Sequence, residues 1–239
     1  TQGNTFENDA NLAESALKQL RERYSGTRLG RQELYAELLQ DIEGALWSYG
    51  FLERSRIQKD SLPELERIVV AIDPAVTASE DSDETGIIVA GKGFDNRYYI
   101  VDDCSVRMSP DGWGRLAIDM FYKYQADRIV AEVNNGGDLV EGLLRNIDNT
   151  VPYTPVRASR GKLVRAEPIA ALYEQGKVSH VGMFKELEDQ LCSYSPTSKK
   201  SPDRLDALVW ALTELSQSTG KAYWSCLLYT SPSPRDNPA

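Results

Sequence analysis

Residues 68–72 (IVVAI), inside the segment RIVVAIDPA, form an unbroken apolar run rich in β-branched residues. Such a run suits a strand covered on both faces, at the centre of a sheet. Asp73 ends the run, and Pro74 then stops the ladder because it has no N–H to donate. A chain built around this strand must be layered, with helices packed on the sheet. A carboxylate at the C-terminal tip of a central strand also stands where α/β folds bind their ligands.

The rest of the chain supplies the partners of that strand. Residues 85–90 read as a second strand, 91–96 as a turn and 97–106 (RYYIVDDCSV) as a returning third. Ser109-Pro110-Asp111 opens a helix reaching Tyr124, and residues 128–133 read as a fourth strand. A helix from Gly137 to Ile147 precedes a fifth strand over 151–158. Another over 162–175 is closed by Gly176, with Pro168 implying a kink or a later start. Residues 183–194 and 202–216 read as the last two helices, separated by the polar segment SYSPTSKKSP. Three consecutive antiparallel strands followed by alternating helix and strand predict an α/β fold. Its core is a mixed five-stranded sheet with helices on both faces.

The first sixty residues read as helical and separate. Leu12, Ala16, Leu17, Leu20 and Tyr24 share one helical face, and Leu34, Leu38 and Ile42 another. Neither helix can form a core alone, so both are expected to dock on something else or to follow a further domain. The start at Thr1 rather than methionine fits a fragment, and residues 54–63 read as a linker. Residues 219–239 have no helical or strand period. They resemble an adapter-derived read-through peptide, and are expected to be disordered or artefactual.

At 239 residues the chain can bury one sizeable core with a small appended unit. No apolar run approaches bilayer length and no signal segment is visible, so the expectation is a soluble intracellular protein without membrane contact. Cys104, Cys192 and Cys226 are odd in number and far apart, which argues for a reducing compartment rather than disulfides or zinc. A net charge of −9 excludes a surface that binds nucleic acid all round. Cations nevertheless outnumber acids between residues 152 and 205, so a local basic surface is open to it.

Three acids interrupt apolar elements. Asp73 ends the first strand, and Glu132 lies among Ile129, Val130, Ala131 and Val133. A buried, unpaired carboxylate costs several kcal/mol or becomes protonated, so Glu132 needs a cation, a strand-end solvent shell or an arginine such as Arg128. Asp206 lies in SPDRLDALVWALTEL, a helix apolar almost all round. There Ser201 suits the N-cap, Pro202 the first position and Asp203 the positive end of the dipole, whereas Asp206 falls past the first turn. Asp203 shares a face with Asp206 and could reach the same site through water. One or two Mg²⁺ or Mn²⁺ ions would reconcile three acids in one place. Two such ions can activate water and stabilise the leaving oxygen of a phosphodiester. Separate ion pairs for the three acids remain the alternative.

Asp73 in VVAIDPA, Glu132 in IVAEVNNGG and the segment SPDRLDALVWAL together resemble the C-terminal nuclease domain of the large terminase subunit of tailed phages and gene-transfer agents, a ribonuclease H-like fold. The resemblance spans residues 67–215, and GNTFENDANL and GTRLGRQELYAELL are more weakly similar to the end of the preceding ATPase domain. It implies a helical remnant and linker over residues 1–58 and a nuclease domain over 59–218. It further implies that Asp73, Glu132 and Asp206 bind catalytic metal, with Asp203 as an accessory ligand. The implied substrate is concatemeric double-stranded DNA, cut during packaging in the host bacterium's cytoplasm beside a small terminase subunit and a portal protein. No GxxxxGKS/T loop occurs in the sequence, so ATPase chemistry is not expected of this chain.

Lys162 and Arg165 begin a helix, where cations and backbone N–H groups can meet a DNA phosphate, or simply form a solvated face. Lys199 and Lys200 could track the DNA backbone or only solubilise their loop. Asp83 and Glu84 read as a hydrated loop or as accessory ligands, and His180, the sole histidine, as structural. Tyr98, Tyr99, Trp113, Tyr122 and Trp210 read as core. The alternatives to the terminase reading are another ribonuclease H-like nuclease, such as a junction resolvase, and a non-catalytic docking module of a packaging motor.

Overall fold

The computed structural model describes residues 44–74, 84–133, 137–158, 161–195 and 202–217. The helices expected before residue 43, the tail beyond 217, Asp83, Lys199, Lys200 and Ser201 lie outside the described residues.

The apolar run forms β1 (Leu65–Asp73), third in a six-stranded sheet. β2 (Gly86–Gly93) lies antiparallel to it, with Asp73 opposite Gly86. β3 (Tyr98–Asp103) returns along β2. On the other side β4 (Arg128–Glu132) runs parallel to β1, and β5 (Tyr153–Val156) parallel to β4. The sixth strand, β6 (Val178–His180), pairs parallel with β3, giving the order β5-β4-β1-β2-β3-β6. This corrects the expected five strands. β6 has three residues, too few for a period of two to be read, and it forms only because the turn at Gly176 (φ 67°) returns the chain to the edge of β3.

Alternation along the strands sorts the core into two layers. Val70 and Ile72 of β1, with Ile87, Val89, Ile129 and Ala131, pack beneath α2 (Pro110–Lys123) and α3 (Gly137–Ile147). Val69 and Ala71, with Ile88, Ala90 and Val130, face the opposite layer. That layer holds α1 (Tyr49–Ser55), α4 (Lys162–Glu174), α5 (Lys185–Ser193) and α6 (Asp203–Gln217). α4 continues through Pro168. α6 crosses β1 and β2 and is flanked by α4 and α5, so almost its whole circumference is buried. That position explains a helix too apolar for a surface element.

The segment before β1 belongs to the same body. Trp47, Tyr49 and Leu52 sit in the α6-side core. Ile57 forms a parallel bridge to Val181, and the Arg56 guanidinium bonds both carboxylate oxygens of Glu188 (2.7 and 3.0 Å) and the carbonyl of Gly182 (2.7 Å). Residues read as linker therefore extend the sheet edge. A polar stretch gives no hydrophobic period, so backbone pairing of this kind is invisible in it. Tyr98, Tyr99, Trp113 and Trp210 are buried as expected, but Tyr122 is exposed, its hydroxyl on Asp148 (2.5 Å). Among the described residues no helix is long and apolar enough to cross a membrane.

Candidate metal-binding active site

The strand parity that builds the two layers also aims the acids. Asp73 follows Val69 and Ala71 in the series facing α6, and Glu132 follows Val130 on the same face of the neighbouring strand. Asp206 comes to them from α6. That helix starts at Asp203, so Asp206 lies within its first turn, which corrects the expected position past it. Its N–H bonds the carbonyl of Pro202 (2.9 Å). The early position lets the positive end of the helix offset part of Asp206's charge.

Each acid has a different environment. Glu132, 7% exposed, accepts a hydrogen bond from Trp210 Nε1 (2.6 Å) and has Arg165 Nη1 at 3.4 Å. Asp206, 1% exposed, is paired with the Lys162 ammonium and has Arg165 Nη2 at 3.6 Å. Burial pushes its carboxyl above the ordinary range despite those two cations. Asp73 is half-buried, and among the described residues no hydrogen bond or ion pair reaches its carboxylate. Burial, then the charges of Asp206 and Glu132, raise it to about 8, with Asp203 adding to the repulsion.

Lys162 and Arg165 are thus brought onto the acids. Arg165 also lies over the Trp210 ring, 4.5 Å from its centroid. Burial opposes the charge of Lys162, but Asp206, Asp73 and Glu132 outweigh it and hold the ammonium above its usual range. Arg128, named as one alternative partner of Glu132, stands at the other end of β4 beside Glu214 (3.4 Å) and Thr154 (3.2 Å). Glu84 is not a hydrated loop residue: it forms a two-pronged pair with Arg204, at 2.7 Å on both contacts. His180 is fully buried between Tyr173 and Glu188, in keeping with its structural reading. The residue that sequence reasoning placed only as core is Trp210. A tryptophan one helical turn beyond Asp206 on the same helix was the available signal.

Among the described residues no three His, Cys, Asp or Glu side chains are gathered tightly enough to share one ion. The donor chemistry nonetheless fits a hard divalent cation: carboxylate oxygens, largely buried, with the Lys162 ammonium already standing in as a cation among them.

The family model of the terminase RNaseH-like domain matches residues 70–215, a span holding all three acids. The chain belongs to this family. A search of curated proteins finds no match to it. Among solved structures, this terminase nuclease domain is similar to the large terminase of a thermophilic bacteriophage in complex with ATP-gamma-S. The identity is 14% and the TM-score 0.51, over 87% of this chain and 53% of that one. It is similar to the P22 large terminase nuclease domain at 13% identity and TM-score 0.52, over 69% and 90% of the two chains. A mutant nuclease domain of the large terminase subunit gp2 of bacterial virus Sf6, solved with manganese, matches at 11% and TM-score 0.53, over 70% and 98%. These likenesses carry the fold: a ribonuclease H-like nuclease architecture of α/β type. The chain spans about half the length of the thermophilic phage's protein.

Proposed function

We propose that this terminase nuclease domain is a Mg²⁺- or Mn²⁺-dependent endonuclease that hydrolyses phosphodiester bonds of double-stranded DNA, cutting concatemers during packaging. One observation carries the reading. Asp73 and Glu132 end adjacent parallel strands on the face crossed by α6, and Asp206 meets them there, close enough for their mutual repulsion to help raise Asp73 to about 8. A carboxyl whose charge is opposed by burial and by neighbouring acids marks a candidate functional site. The manganese in the Sf6 nuclease-domain structure supports the choice of ion.

Asp73, Glu132 and Asp206 would hold one or two ions once drawn closer together than they stand here, with Asp203 at their edge. Ions of this class supply positive charge to the phosphodiester and make water a nucleophile near neutral pH. Trp210 orients Glu132 by donating to its Oε2. Arg165 bridges Glu132 and Asp206 and limits their repulsion. Lys162, partly exposed at the start of α4, is placed to turn from Asp206 to an incoming phosphate once the acids are otherwise neutralised. Lys199 and Lys200 are proposed as contacts to the DNA backbone. A small terminase subunit and a portal protein are proposed as partners, in the cytoplasm of a bacterial host.

The test is incubation of supercoiled plasmid with the purified chain and Mn²⁺ at neutral pH. Nicked and linear products are expected, and Asp73→Asn is expected to abolish them. Intact plasmid with well-folded wild-type protein overturns the nuclease reading in favour of a docking module.

A further inference from the structure

We infer that Gly86 and Arg204 are positioning residues that fix the separation between the acid on β1 and the acid on α6, and thereby set how tightly the centre holds a divalent ion. The inference rests on the metal-dependent reading above. Neither residue contributes a carboxylate; both act through the place where α6 begins.

Gly86 is the first residue of β2 and lies directly across the ladder from Asp73. A Cβ built on it would stand 2.1 Å from the carbonyl oxygen of Asp203, 2.6 Å from the carbonyl carbon and 3.1 Å from Ala207 Cβ. The first two obstacles are backbone, so no side-chain rotation relieves them. A hydrogen atom is all that fits between the strand and the first turn of α6. The glycine is needed here for close approach, and a methyl group would drive the helix off the sheet at the level of Asp73.

Arg204 fastens the same turn laterally. Its Nε and Nη2 donate to the two oxygens of Glu84 (2.7 Å each), just ahead of β2, and its Nη1 donates to Asp103 (2.6 Å) at the end of β3. From α5 the Gln190 side-chain oxygen accepts the N–H groups of Arg204 (3.0 Å) and Leu205 (3.3 Å). Contact with β2, ion pairs toward β2 and β3, and a cap from α5 thus hold one helical turn from three sides. Asp206 ends that turn, so its distance from Asp73 is set by these anchors. Displacement by roughly 1 Å at a reacting centre costs on the order of 100-fold in rate. Groups supporting metal ligands typically carry about 10- to 100-fold in affinity.

The test is a Mn²⁺ binding isotherm, read by the electron paramagnetic resonance of free Mn²⁺, with circular dichroism as the check on folding. Wild type is compared with Gly86→Ala, Arg204→Gln and Gly142→Ala. The last is a control, because a Cβ at Gly142 meets nothing within 4 Å. Gly142→Ala should bind as wild type. Gly86→Ala and Arg204→Gln should bind at least about tenfold more weakly, and their plasmid cleavage should recover in part at high Mn²⁺. Folded Gly86→Ala that binds Mn²⁺ like wild type overturns the inference. If Gly86→Ala does not fold, Arg204→Gln decides by the same comparison. Wild type that binds no Mn²⁺ overturns the nuclease reading together with this one, whereas binding wild type with unchanged variants overturns this one alone.

Discussion

Trp210 shows how one residue can serve the core and the site together. Its ring is buried beside Arg165, while its Nε1 is a short donor to Glu132, which also has Arg165 at 3.4 Å. Phenylalanine would keep most of the apolar contact and remove only the donor. A buried carboxylate that loses a hydrogen bond suffers a desolvation penalty and turns toward what remains. Trp210→Phe is therefore expected to lower Mn²⁺-dependent plasmid cleavage about tenfold, with the larger part in the Mn²⁺ concentration needed for half-maximal rate. An unaltered Mn²⁺ dependence would leave Trp210 a packing residue. In the sequence Trp210 is one apolar residue among many in its helix, and only the crossing of α6 over β4 gives its nitrogen a partner.

Among the elements, the three-residue β6 and the segment around α1 owe their place to a buried polar chain. Tyr173 Oη lies 2.8 Å from His180 Nε2, His180 Nδ1 lies 3.1 Å from Glu188 Oε1, and Arg56 binds both Glu188 oxygens. Burial works against the Glu188 charge, but the hydrogen bonds from His180 and Arg56 prevail and hold its carboxyl at about 2, below the ordinary 4.5. A carboxylate depressed in the folded state stabilises fully above its unfolded value, and the contribution is lost as pH falls through the folded one. The chain should therefore lose on the order of 3 kcal/mol between about pH 4.5 and pH 2 from this group. Urea midpoints across that range should fall steeply for wild type and more shallowly for Glu188→Gln. Equal slopes would mean that the Glu188 carboxylate is not held low by this chain. Sequence reading placed His180 as structural but could not name its partners, because Arg56 and Glu188 are far apart along the chain and each looks like a surface charge.

Over the whole domain, two apolar layers enclose one sheet, and the stretch before β1 completes one of them. Trp47, Tyr49 and Leu52 pack in the same cluster as Leu187, Leu191, Leu208 and Leu212. Leu52 is fully buried. Leu52→Ala is expected to cost about 2–5 kcal/mol, lowering the thermal midpoint of the entire domain in a single transition. A separate low-temperature step would instead mark α1 as an independent unit. The antiparallel run of β1 to β3 and the helices on both faces follow from periodicities that can be read directly: a double-sided apolar run for β1, returning strands for β2 and β3, and helix–strand alternation thereafter. The bridge at Ile57 and the β6 edge could not be read, since they are made by backbone hydrogen bonds that any side chain permits.

Read along the chain alone, three residues already stand out as anomalous: Asp73, Glu132 and Asp206, each an acid in an apolar element. Apolar periodicity is a local property, and a charge that breaks it is visible without knowledge of its neighbours. What surrounds those acids is a product of folding: Lys162 on Asp206, Arg165 between Asp206 and Glu132, Trp210 on Glu132, and Asp73 left without a hydrogen-bonding or ion-pairing partner among the described residues. Electrostatic partners are chosen by distance in space, and here that distance is set by a glycine that admits a helix against a strand.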